Sequence, residues 1–285
     1  MPEISVIMGV YNQRNRRELL DAVNSILNQT FQDFEFIIYN DGSGREATEL
    51  LREVERLDDR VKLIGTEKNH GLAFSLNACI GIAKGKYIAR MDADDISYPN
   101  RILIQKQFLD SYSKYAWCGC NTELFDNIGI WGRRDMPPLP GRNDYLCYSP
   151  YVHPTVMYRR EIFEKNAGYM ESKEMLRCED YEIFMRLECA GLRGANIQQY
   201  LFCYREDERS YRRRSMQHRW NEAGCRYRGF KQMGILFPRG WFYVLRPIVG
   251  GMVPPEILSV VKRKECALQE EEVLYECIEA NERII

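Results

Sequence analysis

The alternation of apolar, strand-like runs with helix-like runs constrains the fold of this chain more than any other feature of its sequence. The runs ISVIMGV (4–10) and FEFIIYN (34–40) are apolar on both faces of a strand, and a stripe with the spacing of one helix face lies between them. That stripe consists of Leu19, Leu20, Val23, Ile26 and Leu27. The same alternation continues to residue 120. It predicts an α/β fold, with a mainly parallel central sheet and helices on both faces.

The second half of the sequence is less regular but extends the same pattern. Residues 153–165 predict a short strand followed by a helix, and EDYEIFMRLECAG predicts a helix with a buried stripe. Residues 198–205 predict a last strand. We therefore predict that one α/β domain covers residues 1–210.

The remaining residues, 211–285, predict a helical C-terminal extension. From Arg205 to Lys231, nine Lys and Arg stand against four Asp and Glu, with aromatic residues interleaved. This composition is typical either of a solvated helix face or of a surface for anionic lipid headgroups or a diphosphate. The apolar run 240–261 is too interrupted by Pro, Gly and charges to span a membrane, but its amphipathic character favours peripheral membrane contact. A Glu-rich segment of helical composition, 265–283, closes the chain.

The overall composition argues against two classes of protein. The 40 Lys and Arg balance 41 Asp and Glu, so the bulk charge does not predict a nucleic-acid partner. The ten cysteines form no CxxC or Cys/His cluster, so we expect reduced core thiols and no zinc site. The chain opens with MPEISVIMGV, which has no basic region before its apolar run. We therefore expect a cytoplasmic protein, with any peripheral contact at the cytoplasmic face of the membrane.

Polar residues follow each of the first four predicted strands at the point where the strand ends. They are Tyr11-Asn12, Asn40-Asp41, Asn69-His70 and Asp92 to Asp95. In open α/β sheets, ligands bind in the crevice outside the carboxyl ends of the strands. The sequence therefore predicts a site at this edge of the sheet.

The acidic cluster in YIARMDADDISYP (87–99) is the most informative of these strand ends. Asp92, Asp94 and Asp95 occupy three of four positions, which either forms a solvated turn or holds a cation. A calcium loop of the EF-hand type does not fit, because Ser97 stands where that loop needs Gly. A divalent cation that also binds the two phosphates of a nucleotide does fit.

Four blocks of the sequence, in order, resemble the family 2 glycosyltransferases, which carry the nucleotide-sugar-binding fold called GT-A. The blocks are SVIMGVYN, QTFQDFEFIIYNDGS, NHGLAFSLNACIGIAKGKYIARMDADD and CEDYEIFMRL. They are similar to the family's opening strand, its second strand with a DDGS-type turn, the run ending in Asp-x-Asp, and the segment with the catalytic base. The resemblance extends over residues 3–205. It implies a GT-A catalytic domain over residues 1–210, of the bacterial surface-glycan type.

The resemblance also implies a set of nucleotide-binding residues. These are Val10, Tyr11, Asn12, Asp41, Asn77 and Asp92, with Arg90 on the sugar side. Asp41 would accept a hydrogen bond from the imide N–H of uracil. Asn40 stands where the family often has Asp, but Asp41 is kept, so recognition of a UDP-sugar is still implied.

The resemblance implies metal-binding and catalytic residues as well. Asp94 would be the main ligand of Mn²⁺ or Mg²⁺, with Asp92 as the second acid of this DxD motif. Asp180 would be the general base, with Glu179 and His153 on the acceptor side. From the residues alone, an acid in the first turn of a helix is equally well explained by capping and the helix dipole. The resemblance favours the base.

The implied reaction is inverting transfer of a sugar from a nucleoside diphosphate sugar to a hydroxyl of a glycan or lipid-linked acceptor, in cell-surface polysaccharide synthesis. Two alternatives remain. A nucleotidyltransferase of similar α/β layout would need a Gly-rich loop after the first strand, where YNQRNRR stands. A non-catalytic nucleotide-sugar-binding module would keep the fold without turnover.

Overall fold

The computed structural model describes residues 1–207 and 215–267, and it centres on one nine-stranded sheet. The strands are β1 (Ile4–Val10), β2 (Phe34–Asp41), β3 (Val61–Thr66), β4 (Tyr87–Arg90), β5 (Ile96–Ser97), β6 (Trp117–Phe125), β7 (Ile130–Arg134), β8 (Met157–Arg159) and β9 (Gly194–Arg205). The helices are α1 (Arg16–Leu27), α2 (Arg45–Glu55), α3 (Leu72–Ile82), α4 (Arg101–Ser111), α5 (Glu161–Lys165), α6 (Glu179–Cys189), α7 (Met216–Met233), α8 (Trp241–Gly251) and α9 (Pro255–Cys266). The predicted alternation of strands and helices over the first half of the chain is confirmed.

The sheet has the strand order β3-β2-β1-β4-β8-β6-β9-β5, and β7 pairs with β6. The neighbours β3, β2, β1 and β4 are parallel, as predicted. The short strand β8 then pairs antiparallel with both β4 and β6, and β9 runs parallel to β6. The sheet is thus parallel in its N-terminal part and mixed beyond it, because the second half of the chain enters next to β4 in the opposite direction.

Two apolar layers cover the two faces of the sheet. Along β1, Val6 and Met8 point into one layer, together with α1, α2 and α4, whereas Ile7 points into the other. This second layer contains residues of α3 and α6, and also Phe230 of α7 and Val244 of α8. The described part of the C-terminal extension therefore shares a core with the α/β domain. The predicted boundary after residue 210 and nearly all of the predicted Glu-rich helix, 265–283, lie outside the described residues.

The cysteines within the described residues are free thiols, and most of them are buried. Burial raises the pKa of the Cys79 thiol to about 12 and that of Cys120 to about 11. These groups therefore behave as small apolar side chains at neutral pH, as the sequence predicts. In the described part of the chain, no helix combines the length and the apolar character that crossing a bilayer requires.

Candidate active site

The loops that follow β1 and β2 are joined at the carboxyl edge of the sheet. Asn12 adopts a left-handed conformation with φ of 51°. Its N–H donates to Ser43 Oγ at 2.9 Å, and its Oδ1 accepts the Gly44 N–H at 2.9 Å. Tyr11 is exposed and Val10 is buried on either side of this connection. Asn12 thus fixes the shape of the edge, while Tyr11 offers an aromatic surface there.

Asp41, at the end of β2, holds the loop that leads into α3. Its side chain is almost fully buried, with 2% of the residue exposed. Oδ1 accepts the His70 N–H at 2.7 Å, and Oδ2 accepts the Gly71 N–H and the Asn69 side-chain amide, both at 2.8 Å. A carboxylate has about four acceptor positions, so these three bonds leave capacity for one further donor. The predicted contact of Asp41 with a uracil base stays a prediction.

The acidic cluster follows β4 at the same edge. Asp95 is buried, its Oδ1 accepts the Arg205 N–H at 2.7 Å, and its Oδ2 is buried without a hydrogen-bond partner. Burial, together with repulsion from Asp94 and then Asp92, raises the pKa of the Asp95 carboxyl well above its usual range. An orphaned carboxylate oxygen beside two more acids is an arrangement that a cation would stabilise. No separate role was predicted for Asp95, because the burial of one acid among three is not visible in a short motif.

The cluster fits a divalent cation that takes most of its ligands from a substrate. Carboxylate oxygens are the ligands that Mg²⁺ and Mn²⁺ prefer. Within residues 1–207 and 215–267, no group of three or more His, Cys, Asp and Glu side chains is arranged to enclose a metal ion. Partly exposed carboxylates can share a cation with the phosphates of a substrate. Asp94 and Asp92 are both partly exposed, as such sharing requires.

Two buried arginines support the acidic cluster. Arg90 Nη1 lies 2.5 Å from Asp92 Oδ2. Burial lowers the pKa of Arg90, but the charge and hydrogen bond of Asp92 together with the charges of Tyr169 and Asp95 outweigh burial and raise it. Arg101, the first residue of α4, is also fully buried, and burial lowers its pKa to about 10. Its Nη2 donates to the carbonyl oxygens of Arg90 at 2.7 Å and Pro154 at 3.0 Å. Arg101 therefore fixes the backbone directly before the cluster, a role that sequence reasoning missed because Arg is usually exposed.

The predicted base, Asp180, lies in the first turn of α6 and is partly exposed. The N-cap position belongs to Cys178, so Asp180 is inside the helix. Glu179 is buried, and its burial raises the pKa of its carboxyl. Burial raises the pKa of Tyr169 to about 12; Tyr158 and Arg90 oppose the rise, and the charges of Asp180 and Asp92 add to it. The charges of the base candidate Asp180 and of Asp92 therefore both act on the Tyr169 hydroxyl.

His153 and Asn77 meet at the loop that carries Tyr169. His153 Nε2 lies 2.8 Å from the Tyr169 hydroxyl, and burial, then the charge of Arg90, lowers the pKa of His153 well below its usual value. In a neutral imidazole, Nε2 accepts the Tyr169 O–H in one tautomer and donates to the Tyr169 oxygen in the other. The Asn77 side chain accepts the Tyr169 N–H at 2.7 Å and donates to the Tyr169 carbonyl at 2.9 Å. These contacts make Asn77 a tie between α3 and the Tyr169 loop, and its nucleotide contact stays a prediction.

Comparison with known proteins places this geometry among related chains. A family model described as "Glycosyl transferase family 2" matches residues 5–181. The EpsE protein of Bacillus subtilis (strain 168) is 31% identical over 271 residues, which cover 95% of this chain and 96% of EpsE. The O-antigen biosynthesis glycosyltransferase WbnJ of Escherichia coli is 32% identical, with 73% of this chain and 81% of WbnJ covered.

Two groups of solved structures share the fold. S. aureus TarS (residues 1–349) in complex with UDP-GlcNAc superposes with a TM-score of 0.62 at 18% identity, covering 88% of this chain and 71% of TarS. The mannosyltransferase PcManGT from Pyrobaculum calidifontis, in complex with GDP-Man and Mn²⁺, gives a TM-score of 0.62 at 15% identity, with 98% and 84% covered. At these identities the likeness shows the fold alone, which confirms the GT-A prediction.

Proposed function

Because the chain belongs to glycosyltransferase family 2, we propose that it moves a sugar from a nucleoside diphosphate sugar to a hydroxyl group of a surface glycan or of its lipid-linked precursor, with inversion at the anomeric carbon. The name of WbnJ refers to O-antigen biosynthesis, which supports a surface-glycan acceptor. The proposal includes a UDP-sugar as donor and a divalent cation as cofactor.

The observation that carries the proposal is the acidic cluster at the carboxyl edge of the parallel strands, with the orphaned Oδ2 of Asp95 inside it. A diphosphate brings concentrated negative charge to this edge, and three acids would repel it without a cation between them. Asp94 and Asp92 would hold Mn²⁺ or Mg²⁺, and a cation there would favour the ionised form of the buried Asp95 carboxyl. When bound, the cation would neutralise charge that grows on the departing phosphate oxygen.

Asp180 supplies the second requirement of a displacement, which is removal of the proton from the attacking hydroxyl. A base must lie within hydrogen-bond reach of that hydroxyl, on the side of the sugar opposite to the leaving diphosphate. The partial exposure of Asp180 supports this role, and so does the effect of its charge on the Tyr169 hydroxyl, on which the charge of Asp92 also acts. The acceptor hydroxyl attacks C1 as its proton passes to Asp180, and the bond from C1 to the phosphate oxygen breaks.

Recognition of the donor is proposed to rest on Tyr11, Asn12 and Asp41. Asn12 and Asp41 shape the edge through their loop contacts, and Tyr11 offers an exposed ring against which a base can stack. TarS has been solved with UDP-GlcNAc and PcManGT with GDP-Man and Mn²⁺, so the shared fold accommodates more than one nucleotide. Asp41 favours uracil, because a carboxylate accepts the imide N–H that uracil presents.

The proposal is tested by measuring release of nucleoside diphosphate from a panel of nucleotide sugars, with Mn²⁺ and with Mg²⁺. We expect Asp180→Asn to lower kcat by about 10²–10⁴-fold, while the affinity for the nucleotide changes by less than about threefold. Glu46→Gln is the matched control, since Glu46 is an exposed acid in the first turn of another helix, α2. The anomeric configuration of the product, read by NMR, tests inversion.

Three outcomes would overturn parts of the proposal. If Asp180→Asn and wild type turn over at the same rate, Asp180 is not the base. Pyrophosphate release from UTP and a sugar phosphate, without transfer from any nucleotide sugar, would make the protein a nucleotidyltransferase. If a chelator leaves the affinity for the nucleotide unchanged, the proposal that a cation binds the diphosphate is wrong.

A further inference from the structure

Helix α8 presents an apolar face to solvent in the part of the chain that the structure describes. Phe242, Leu245, Val249 and Met252 recur at intervals of three or four residues, and each is more than half exposed. The opposite side of α8 buries Val244 against the core. Single exposed apolar residues are normal on protein surfaces, whereas a contiguous stripe of large ones marks an interaction surface.

Aromatic side chains extend this stripe towards α7. The rings of Trp241 and Tyr227 lie 5.4 Å apart, and the rings of Trp241 and Phe237 lie 6.1 Å apart. Phe237 is exposed, and Trp220 on α7 is more than half exposed. Because this surface lies on the hairpin that α7 and α8 form, we call it the hairpin face. It consists of Phe237, Trp241, Phe242, Leu245, Val249 and Met252.

The segment that carries the hairpin face is strongly basic. Residues 216–254 contain six Lys and Arg and a single acid, Glu222, which is paired with Arg226. Lys231 and Arg239 are exposed beside the aromatic residues. Arg228 is paired with Glu174, which lies outside this segment. The surface therefore combines apolar side chains, Trp and Tyr rings, and the positive charges of Lys231 and Arg239.

We propose that the hairpin face docks on the surface of an anionic phospholipid bilayer. Helices that lie in a bilayer interface bury one apolar face, hold Trp and Tyr at the headgroups and use Lys and Arg to attract anionic lipid. A second copy of this chain would also cover the apolar stripe, but a two-fold interface would bring the same basic residues face to face. The excess of positive charge therefore favours lipid as the occupant.

The hairpin of α7 and α8 is fastened to the α/β domain by partly buried hydrogen bonds. Arg226 donates to the carbonyl oxygens of Leu146 at 2.7 Å and Cys147 at 3.1 Å. Arg226 also donates at 3.5 Å to the carbonyl of Tyr243, which has no helical N–H partner because Pro247 lies four residues further on. The two helices and this loop are therefore held in one arrangement.

A second connection joins the hairpin to the loop before α6. The side-chain amide of Asn221 donates to the Lys173 carbonyl at 3.0 Å, and Asp180 follows Lys173 in the next helix. Docking would therefore place the acceptor side of the site near the lipid surface. This orientation suits an acceptor that is carried on a lipid, and it rests on the proposed function, whereas docking itself does not.

Docking is tested by co-sedimentation of the full chain with vesicles of phosphatidylglycerol and phosphatidylcholine in equal amounts, and with vesicles of phosphatidylcholine alone. We expect binding to the anionic vesicles that weakens as salt is raised. Phe242→Ser with Val249→Ser should lower the partition coefficient by at least about tenfold. Its matched control is Ile128→Ser with Leu139→Ser, which removes two exposed apolar side chains elsewhere.

A second pair of variants tests the contribution of basic residues to vesicle binding. Lys231→Gln with Arg239→Gln should lower binding by roughly tenfold, and Arg45→Gln with Lys84→Gln, also exposed, should not change it. Wild type that stays in the supernatant at low salt would overturn the proposal. So would hairpin-face variants that bind like their controls, or a hairpin-face variant that converts a dimer to a monomer without changing vesicle binding. Vesicle binding by Asp180→Asn, which lacks the proposed base, separates a failure of docking from a failure of the proposed reaction.

Discussion

Replacing Asp41 by Asn tests whether the edge of the sheet depends on one buried carboxylate. A charge-assisted hydrogen bond contributes about 1.5–3 kcal/mol, against about 1 kcal/mol for a neutral one. In Asp41→Asn, one terminal oxygen becomes an amide nitrogen, which must face at least one of the three donors from Asn69, His70 and Gly71. At best, one hydrogen bond is lost and the other two change from charge-assisted to neutral hydrogen bonds. This loss is about 4 kcal/mol, which hydration of the exposed loop reduces to about 2–3 kcal/mol.

The assay is urea unfolding followed by circular dichroism, where this loss corresponds to a midpoint lower by roughly 1 M. Asn69→Ala removes one donor but leaves the carboxylate intact, so it should cost only about 1 kcal/mol. Comparing the UDP affinity of the two variants separates loop anchoring from contact with the base. If Asp41→Asn unfolds within about 0.5 kcal/mol of wild type, the three bonds do not hold the loop and the reasoning is wrong.

Three further predictions follow from buried groups. Arg101→Met removes the donors to the Arg90 and Pro154 carbonyls and should lower the free energy of unfolding by about 2–4 kcal/mol in urea; a loss below about 1 kcal/mol would contradict that role. Because the pKa of His153 is lowered in the folded protein, the unfolded chain alone binds a proton there below about pH 6.5, so stability falls as pH falls. Relative to His153→Gln, wild type should lose up to about 1.4 kcal/mol per pH unit below that value, as read from urea unfolding at a series of pH values. An Ala Cβ at Gly85 would lie 2.5 Å from the Ser5 backbone nitrogen, so Gly85→Ala should lower the free energy of unfolding by about 3 kcal/mol. A Cβ at Gly81 would have nothing within 4 Å, so Gly81→Ala should stabilise α3 by about 0.5–1 kcal/mol. Thermal or urea unfolding measures both effects.

The parts of the fold that could be predicted from the sequence are those with a local signature. β1 and β2 are apolar runs with clear ends: the polar stretch from Tyr11 ends the first, and Asp41-Gly42 ends the second. Their predicted bounds therefore agree with the structure to within a residue. Parallel strands place their carboxyl ends at one edge, which is why Asp41 and the acidic cluster could be assigned to the same site before their contacts were known.

The parts that could not be predicted depend on residues far apart in the chain. Nothing local in Met157–Arg159 shows that this strand enters the sheet between β4 and β6 in the opposite direction. The tie between Asn77 and Tyr169 joins residues 92 positions apart, and His153 reaches the same tyrosine from another loop. Side chains such as Arg101 look like ordinary surface residues until the loops around them are placed.

The ion pair between Arg90 and Asp92 gives the acidic edge an internal counterion. When no substrate is bound, the permanently charged Arg90 guanidinium still offsets the repulsion among the acids after β4. Folding should therefore tolerate complete removal of the proposed divalent ion, and a metal-stripped sample could then be titrated with one ion at a time. Such a titration would measure the preference of the site for one metal over another. It would avoid the unfolding that accompanies metal removal in proteins whose fold depends on the metal.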